Sequence, residues 1–257
     1  MPNWNYNNMN VKGKPELVKR FIKENFSTQK VYDNKEAYVL DFEVMDPTPI
    51  DPETGDIIKD WYDWRLKHWG CKWSPITEDQ AVSLCLIYND EKSENINYEK
   101  FNEEFVDKLN VNNMKEIELY MTFFTPWAPP EGMFELWSTN YKEEGLEMLV
   151  EFYEPGCGFA GEMKFVKGED DRYFMIDWCK ENKNEYLKFV LEHELEPLDY
   201  YIDECHYWIE EMHKDDGKEM IEKICLAVEK QIAEAKLEDV VKLILDIKDK
   251  YDKFCEE

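Results

Sequence analysis

Positive charge is what this sequence has least of. Against 58 Asp and Glu stand only 31 Lys and Arg, a net charge of −27 over 257 residues. A surface that neutralises a DNA or RNA backbone needs a local basic excess, so direct nucleic-acid binding is not expected. Long apolar runs are missing too. No stretch approaches the roughly 18 residues of a membrane span, and MPNWNYNNMN has neither the basic flank nor the apolar run of a secretory leader. The seven cysteines (71, 85, 157, 179, 205, 225 and 255) are odd in number and scattered, with no CxxC. This excludes a regular disulfide framework and points to reduced thiols in a cytosol. No GxSxG, HExxH, Walker loop or kinase signature occurs. Carboxylates are too numerous for any catalytic pair to stand out. The chain therefore reads as a binding protein rather than an enzyme, and no cofactor is expected.

Apolar residues make up 43% of the chain and aromatics 15%, ample for a packed core. The texture changes near residue 176. Before it, Gly, Pro and Trp punctuate short segments; after it come one Gly (Gly217) and one Pro (Pro197). We expect two parts, 1–175 and 176–257. The second holds 24 acids and 12 bases, so negative charge is spread over both parts and is not a detached tail.

In the first part, 3–11 alternate as a strand ending at Gly13, and 15–26 carry Leu17, Val18, Phe21 and Ile22 on one helical face. Residues 37–45 read as a strand, 61–70 as a helix closed by Gly70, and 76–90 as ambiguous between the two. Residues 98–109 read as a helix, 117–125 as a buried strand, and 129–141 as a helix. Segments 146–154 and 162–168 form a strand pair, with 172–178 as a further strand. The second part reads as helices over 179–195, 198–213, 218–235 and 237–255. The last two have apolar residues spaced 4-3, a seam for antiparallel pairing, for a small bundle, or for a homodimer.

Residues 61–73, WYDWRLKHWGCKW, hold four of the nine tryptophans. Such density makes either an aromatic seal over a core or a recognition surface. Trp64, Arg65, Trp69, Lys72 and Trp73, with Trp127 from PWAPP, are the candidate ligand- or partner-binding residues. Gly156, Gly158 and Gly161 match GxGxxG, but EMKFV after them alternates as a strand, so they shape a connection rather than cradle a dinucleotide. His206, Glu210 and His213 share a helical face, a weak zinc candidate because no second matching pair exists.

MPNW at the start, WYDWRLKHWGCKW, TFFTPWAPP at 122–130 and YEPGCGFAGE at 153–162 occur in that order. Together they resemble the YubB-like ferredoxin-fold family of phages, plasmids and integrated elements, over about residues 1–175. The resemblance implies an α+β domain: a βαββαβ antiparallel sheet with helices on one face and long insertions, one of them holding the Trp-rich run. It supplies no activity. The chain departs from the family pattern at Asn5, where Cys is common, and at Cys71, where Thr is common. With the acidic charge, the expectation is an interaction protein in the cytoplasm of a bacterial host. It would bind, and inhibit, a host protein with a basic surface, such as a defence component, by imitating a nucleic acid. The alternative is small-ligand or nucleotide binding, or an enzyme, in a Trp-rich cleft of the ferredoxin-like domain.

Overall fold

The computed structural model describes residues 3–30, 36–75, 81–88, 91–96, 101–109, 114–179, 181–214 and 218–256. In chain order the elements are β1 (Trp4–Gly13), α1 (Pro15–Asn25), β2 (Phe26–Lys30), β3 (Glu36–Leu40), α2 (Phe42–Met45), α3 (Trp61–Trp69), β4 (Ala81–Tyr88), β5 (Glu91–Ile96), α4 (Glu103–Lys108), β6 (Glu116–Pro126), α5 (Glu131–Tyr141), β7 (Glu147–Glu154), β8 (Phe159–Phe165), β9 (Arg172–Asp177), α6 (Lys183–Glu192), α7 (Leu198–Met212), α8 (Lys218–Glu234) and α9 (Leu237–Glu256). The molecule is α+β, with two compact units divided between Met175 and Ile176.

The first unit is built on one sheet in the order β5-β4-β6-β1-β7-β8-β9, beside a separate β2–β3 hairpin. Successive pairs from β5 to β8 are antiparallel. Four adjacent inner strands follow the order β4-β6-β1-β7, with α1 after β1 and α5 after β6. Alternation assigns the faces. Met9 and Val11 of β1, Leu119 and Phe123 of β6, Val150 and Phe152 of β7, and Met163 and Phe165 of β8 are all buried in one cluster. That cluster also takes Leu17, Val18, Phe21 and Ile22 of α1 and Met133, Trp137 and Tyr141 of α5. Period 2 in the strands thus meets period 3.6 in the helices across one core. Asn25 ties the two helices through polar contacts. Its Oδ1 accepts from Trp137 Nε1 at 2.7 Å, and its Nδ2 donates to Tyr141 Oη at 3.1 Å.

Several expected elements are redrawn. Residues 37–45 are not one strand: β3 stops at Leu40, and Asp41 Oδ1 accepts the Glu43 N–H at 3.1 Å to start α2. A side chain that caps a helix competes with strand continuation. The helix expected over 98–109 is confined to 103–108, because Asn102 Oδ1 caps it at the Phe105 N–H, 2.8 Å; residues 98–100 lie outside the described residues. Within the ambiguous 76–90, residues 81–88 form β4, paired to β6; 76–80, 89 and 90 also lie outside the described residues. β2 and β5, polar strands of FSTQK and EKSENI, have no apolar alternation to announce them.

The second unit is all-helical. The helix expected over 179–195 is shorter, Lys183–Glu192, and Glu194 beyond it has left-handed backbone, φ 50°. The 4-3 seam does not make an exclusive α8–α9 pair. α9 packs chiefly against α7 and α6, with α8 on α7, so the seam serves a small bundle. Among the described residues no helix is long and apolar enough to cross a membrane.

Candidate functional site

The four resemblance motifs are far apart in sequence, yet their described residues meet at one end of the sheet. Trp4 pairs with Pro126, and Tyr6 with Tyr153. The Trp127 N–H donates to Asn3 O at 2.9 Å. The Asn3 amide reaches Cys157 Sγ at 3.6 Å. Trp73 stacks on Trp127, ring centroids 6.3 Å apart. α3 and α5 touch backbone to backbone, because a Cβ on Gly132 would sit 2.2 Å from His68 O, and one on Gly70 2.6 Å from Glu131 N. Gly70 is also the left-handed cap of α3, φ 82°.

The Trp-rich segment divides into a buried half and a half facing solvent. Trp69 is fully buried, its Nε1 donating to Asp46 O at 3.0 Å. Trp64 is partly buried and stacks on His68 at 3.9 Å, while His68 Nδ1 meets Asp46 Oδ2 at 3.0 Å. Arg65 is held from every side. Its Nη2 pairs with Glu43 Oε1 at 2.6 Å, its Nε donates to Thr48 Oγ1 at 2.8 Å, and the guanidinium lies over Trp61 and Trp69 at 5.1 and 4.7 Å. Cys71 is buried with its thiol on Trp73 O; burial pushes its pKa far up, outweighing the pull of Arg65. These side chains seal the core beside α5. Lys72 and Trp73 form the other half, with Trp127 of PWAPP stacked on Trp73. The Lys72 ammonium lies over Trp73 at 4.3 Å, Trp127 at 5.1 Å and Tyr62 at 5.7 Å.

Beside them lies a polar group that sequence reading passed over. Asn5, Asn7 and Thr125 point into the core and are buried. Asn7 Nδ2 donates to Thr125 Oγ1 at 3.0 Å and Asn5 Nδ2 to Asn7 Oδ1 at 2.8 Å, while Asn5 Oδ1 has no hydrogen-bond partner among the described residues. Glu154, fully buried at the end of β7, accepts from the N–H of Gly156 and of Cys157. The signal was available in β1. Trp4 and Tyr6 alternate on even numbers, Met9 and Val11 on odd ones, so the apolar phase slips and leaves Asn5 and Asn7 inside. Strand β8 follows Gly156-Cys-Gly158 where a dinucleotide site would need a helix, and Gly161 lies within that strand.

His206, Glu210 and His213 lie on α7 and its C-cap. Glu210 faces solvent, whereas His206 Nε2 is 3.3 Å from Glu229 Oε1 of α8, close but off the line of a hydrogen bond. Among the described residues no group of three or more His, Cys, Asp or Glu is gathered closely enough to hold a metal ion. The helical unit also has a groove of about 640 Å³, with Leu198, Ile232, Leu237 and Val240 in its wall beside Glu194 and Glu196.

Compared with family models, with curated proteins and with solved structures, the chain matches none.

Proposed function

We propose that the chain is a non-enzymatic interaction protein that binds a basic host protein through acidic helical surface. One observation carries this reading: how the second unit distributes its side chains. Tyr201, Cys205, Trp208, Ile232, Val241 and Ile244 are buried, whereas Asp199, Asp203, Glu210, Glu238, Asp239 and Asp246 face solvent. Residues 176–257 hold 24 acids, 12 lysines and no arginine. Such a surface attracts a basic partner and speeds its association at low salt. The groove beside Glu194 and Glu196 has an apolar wall and acidic side chains, which suits a long basic side chain.

The strand order β4-β6-β1-β7, with α1 and α5 between strands, supports a ferredoxin-like βαββαβ reading of residues 1–175, with 26–75 and 91–115 as insertions. With the four motifs it supports the YubB-like assignment, and with that a phage or mobile-element origin and a place in the bacterial cytoplasm. Inhibition by nucleic-acid mimicry follows if the partner's basic surface is its DNA- or RNA-binding groove. The test is capture from host lysate at low salt, then competition between this protein and DNA for the captured partner. Capture should weaken steeply with salt and with Asn and Gln at Asp199, Asp203, Glu210 and Glu238. A complex indifferent to salt and to these changes, or no complex at all, refutes it.

The motif corner favours a second reading, a small-ligand site at Lys72, Trp73 and Trp127, because two stacked indoles lie there partly open to solvent. A ligand that binds there raises the melting temperature by mass action.

A further inference from the structure

Among the described residues Lys72 has no carboxylate partner, in a chain where acids outnumber bases 58 to 31. Its ammonium lies over three rings instead: Trp73 at 4.3 Å, Trp127 at 5.1 Å and Tyr62 at 5.7 Å. Each ring comes from a different place. Tyr62 is on the first turn of α3, Trp73 follows its glycine cap, and Trp127 lies between β6 and α5. Cys71, fully buried next door, anchors the chain that carries Lys72 and Trp73.

Trp127 is the most constrained of the three. Its φ is 66°, a conformation that bulky residues rarely adopt. The Trp127 N–H bond to Asn3 O and the Thr125 hydroxyl bond to Ala128 O hold the turn on both sides. Strain of this kind persists where the surroundings over-determine it, and it gathers at binding sites. Here it fixes an indole that is 40% exposed within reach of the same cation as Trp73.

A ring cage is poorly matched to a primary ammonium, which has three N–H donors to satisfy and a tight hydration shell. It is well matched to a quaternary ammonium, which has no donors and is recognised by such cages. Lys72 is tethered by a flexible four-carbon stem, so it can leave when a better cation arrives.

We propose that Tyr62, Trp73 and Trp127 form a binding site for the quaternary ammonium group of a small solute, and that Lys72 occupies it as an internal stand-in. This rests on the second reading above and gives it a ligand class; it is independent of the acidic-surface reading. An internal competitor weakens apparent affinity by the fraction of time the cage is filled. Removing it tightens binding.

The test titrates tetramethylammonium and choline into the full-length protein. Tryptophan fluorescence and the upfield ring-current shift of the ligand methyl protons report binding. Lys72→Ala should bind at least about fivefold more tightly than the parent. Trp127→Ala and Tyr62→Ala should each lose about fivefold or more. Tyr62 is an exposed helix residue, so its variant keeps the test decisive if Trp127→Ala fails to fold. The neutral isostere 3,3-dimethylbutanol should bind at least about tenfold more weakly than choline, since it lacks the charge. Acetylated trimethyl-lysine, run alongside, must bind no better than choline for a small solute to stand as the source. A folded Lys72→Ala protein with no saturable response to either cation overturns the proposal, as does equal binding of the isostere. If that variant ignores the cations but is thermally stabilised by nucleotides or other metabolites, the ammonium proposal falls and the ligand reading survives. Silence towards all of them ends both.

Discussion

Helix propensity and packing make opposite predictions for Gly132→Ala, which makes this substitution a sharp test of the motif corner. Gly132 is the second residue of α5, where alanine would favour the helix by up to about 1 kcal/mol. The new Cβ would lie 2.2 Å from His68 O and 2.6 Å from His68 C. A carbon approaches a carbonyl oxygen comfortably at about 3.3 Å, so the ends of α3 and α5 must part by about 1 Å. Both clashing atoms are backbone, so no side chain can rotate away. Separation also loosens Trp69 of α3 and Trp137 of α5, both fully buried and both packed edge-on to Phe42. Overpacking costs about 1–3 kcal/mol, with this case at the upper end. After the propensity gain the net loss is about 2 kcal/mol. For a unit of this size that lowers the melting temperature by about 4–8 °C. Gly145→Ala is the control: nothing lies within 4 Å of its added carbon, and only its φ of 98° is strained, costing about 1 kcal/mol. Calorimetry of the two variants decides. An unchanged or raised melting temperature for Gly132→Ala, or a larger loss at Gly145, would refute the close approach of α3 and α5.

Asn25→Leu should lose about 2–3 kcal/mol in urea unfolding, because it strands the buried Trp137 Nε1–H on an apolar neighbour and removes the amide donor to the Tyr141 hydroxyl, which keeps its own bond to Glu24. A neutral result would remove Asn25 as the link between α1 and α5. The Cys157 thiol is raised in pKa, mainly by its bond to the Glu154 carboxylate. Alkylation of Cys157 should therefore be slow at neutral pH, quicken as pH rises and be faster in Glu154→Gln, measured by mass spectrometry; Cys71, buried, should resist in all cases. Burial raises the pKa of Asp171, but the Lys142 ammonium and the Ser138 hydroxyl outweigh it and leave the pKa lowered. The stability this adds is present above the unfolded value near 4 and is lost as pH falls through the folded one. Asp171→Asn should thus be less stable than the parent at pH 7 and converge with it in strong acid; a gap that persists there would disprove the linkage.

What sequence reading recovered depended on whether burial imposed a period. α1, α5 and the helices of the second unit carry continuous apolar faces, and each was legible to within a few residues. β2 and β5 were not, since FSTQK and EKSENI have no apolar alternation to read. The strand expected over 37–45 failed at Asp41, where one carboxylate captures a backbone N–H and turns the chain into α2. A cap is a single-residue event, and periodicity over nine residues smooths it away.

The aromatic corner was visible in the sequence as Trp density, but its layout was not. Trp density marked α3, yet density alone cannot separate Trp69, which is core, from Trp73 and Trp127, which share the Lys72 cation. That separation is made by the tertiary contact of α3 with α5 and by the turn at Trp127, both long-range. The phase slip in β1 is different, because it was local and visible. A strand with one buried face should keep its apolar residues on one parity. Here parity is broken so that Trp4 and Tyr6 look away from the helices while Asn5 and Asn7 look in. Burying two amides costs stability unless they are paired, and one oxygen, Asn5 Oδ1, has no partner among the described residues. The same strand end supplies Asn3 O, which holds Trp127 in its strained turn. A fold selected for stability alone would place Val or Ile at positions 5 and 7. The asparagines lie where the four motifs meet, so the departure from packing logic and the aromatic cage mark the same corner by independent physical arguments.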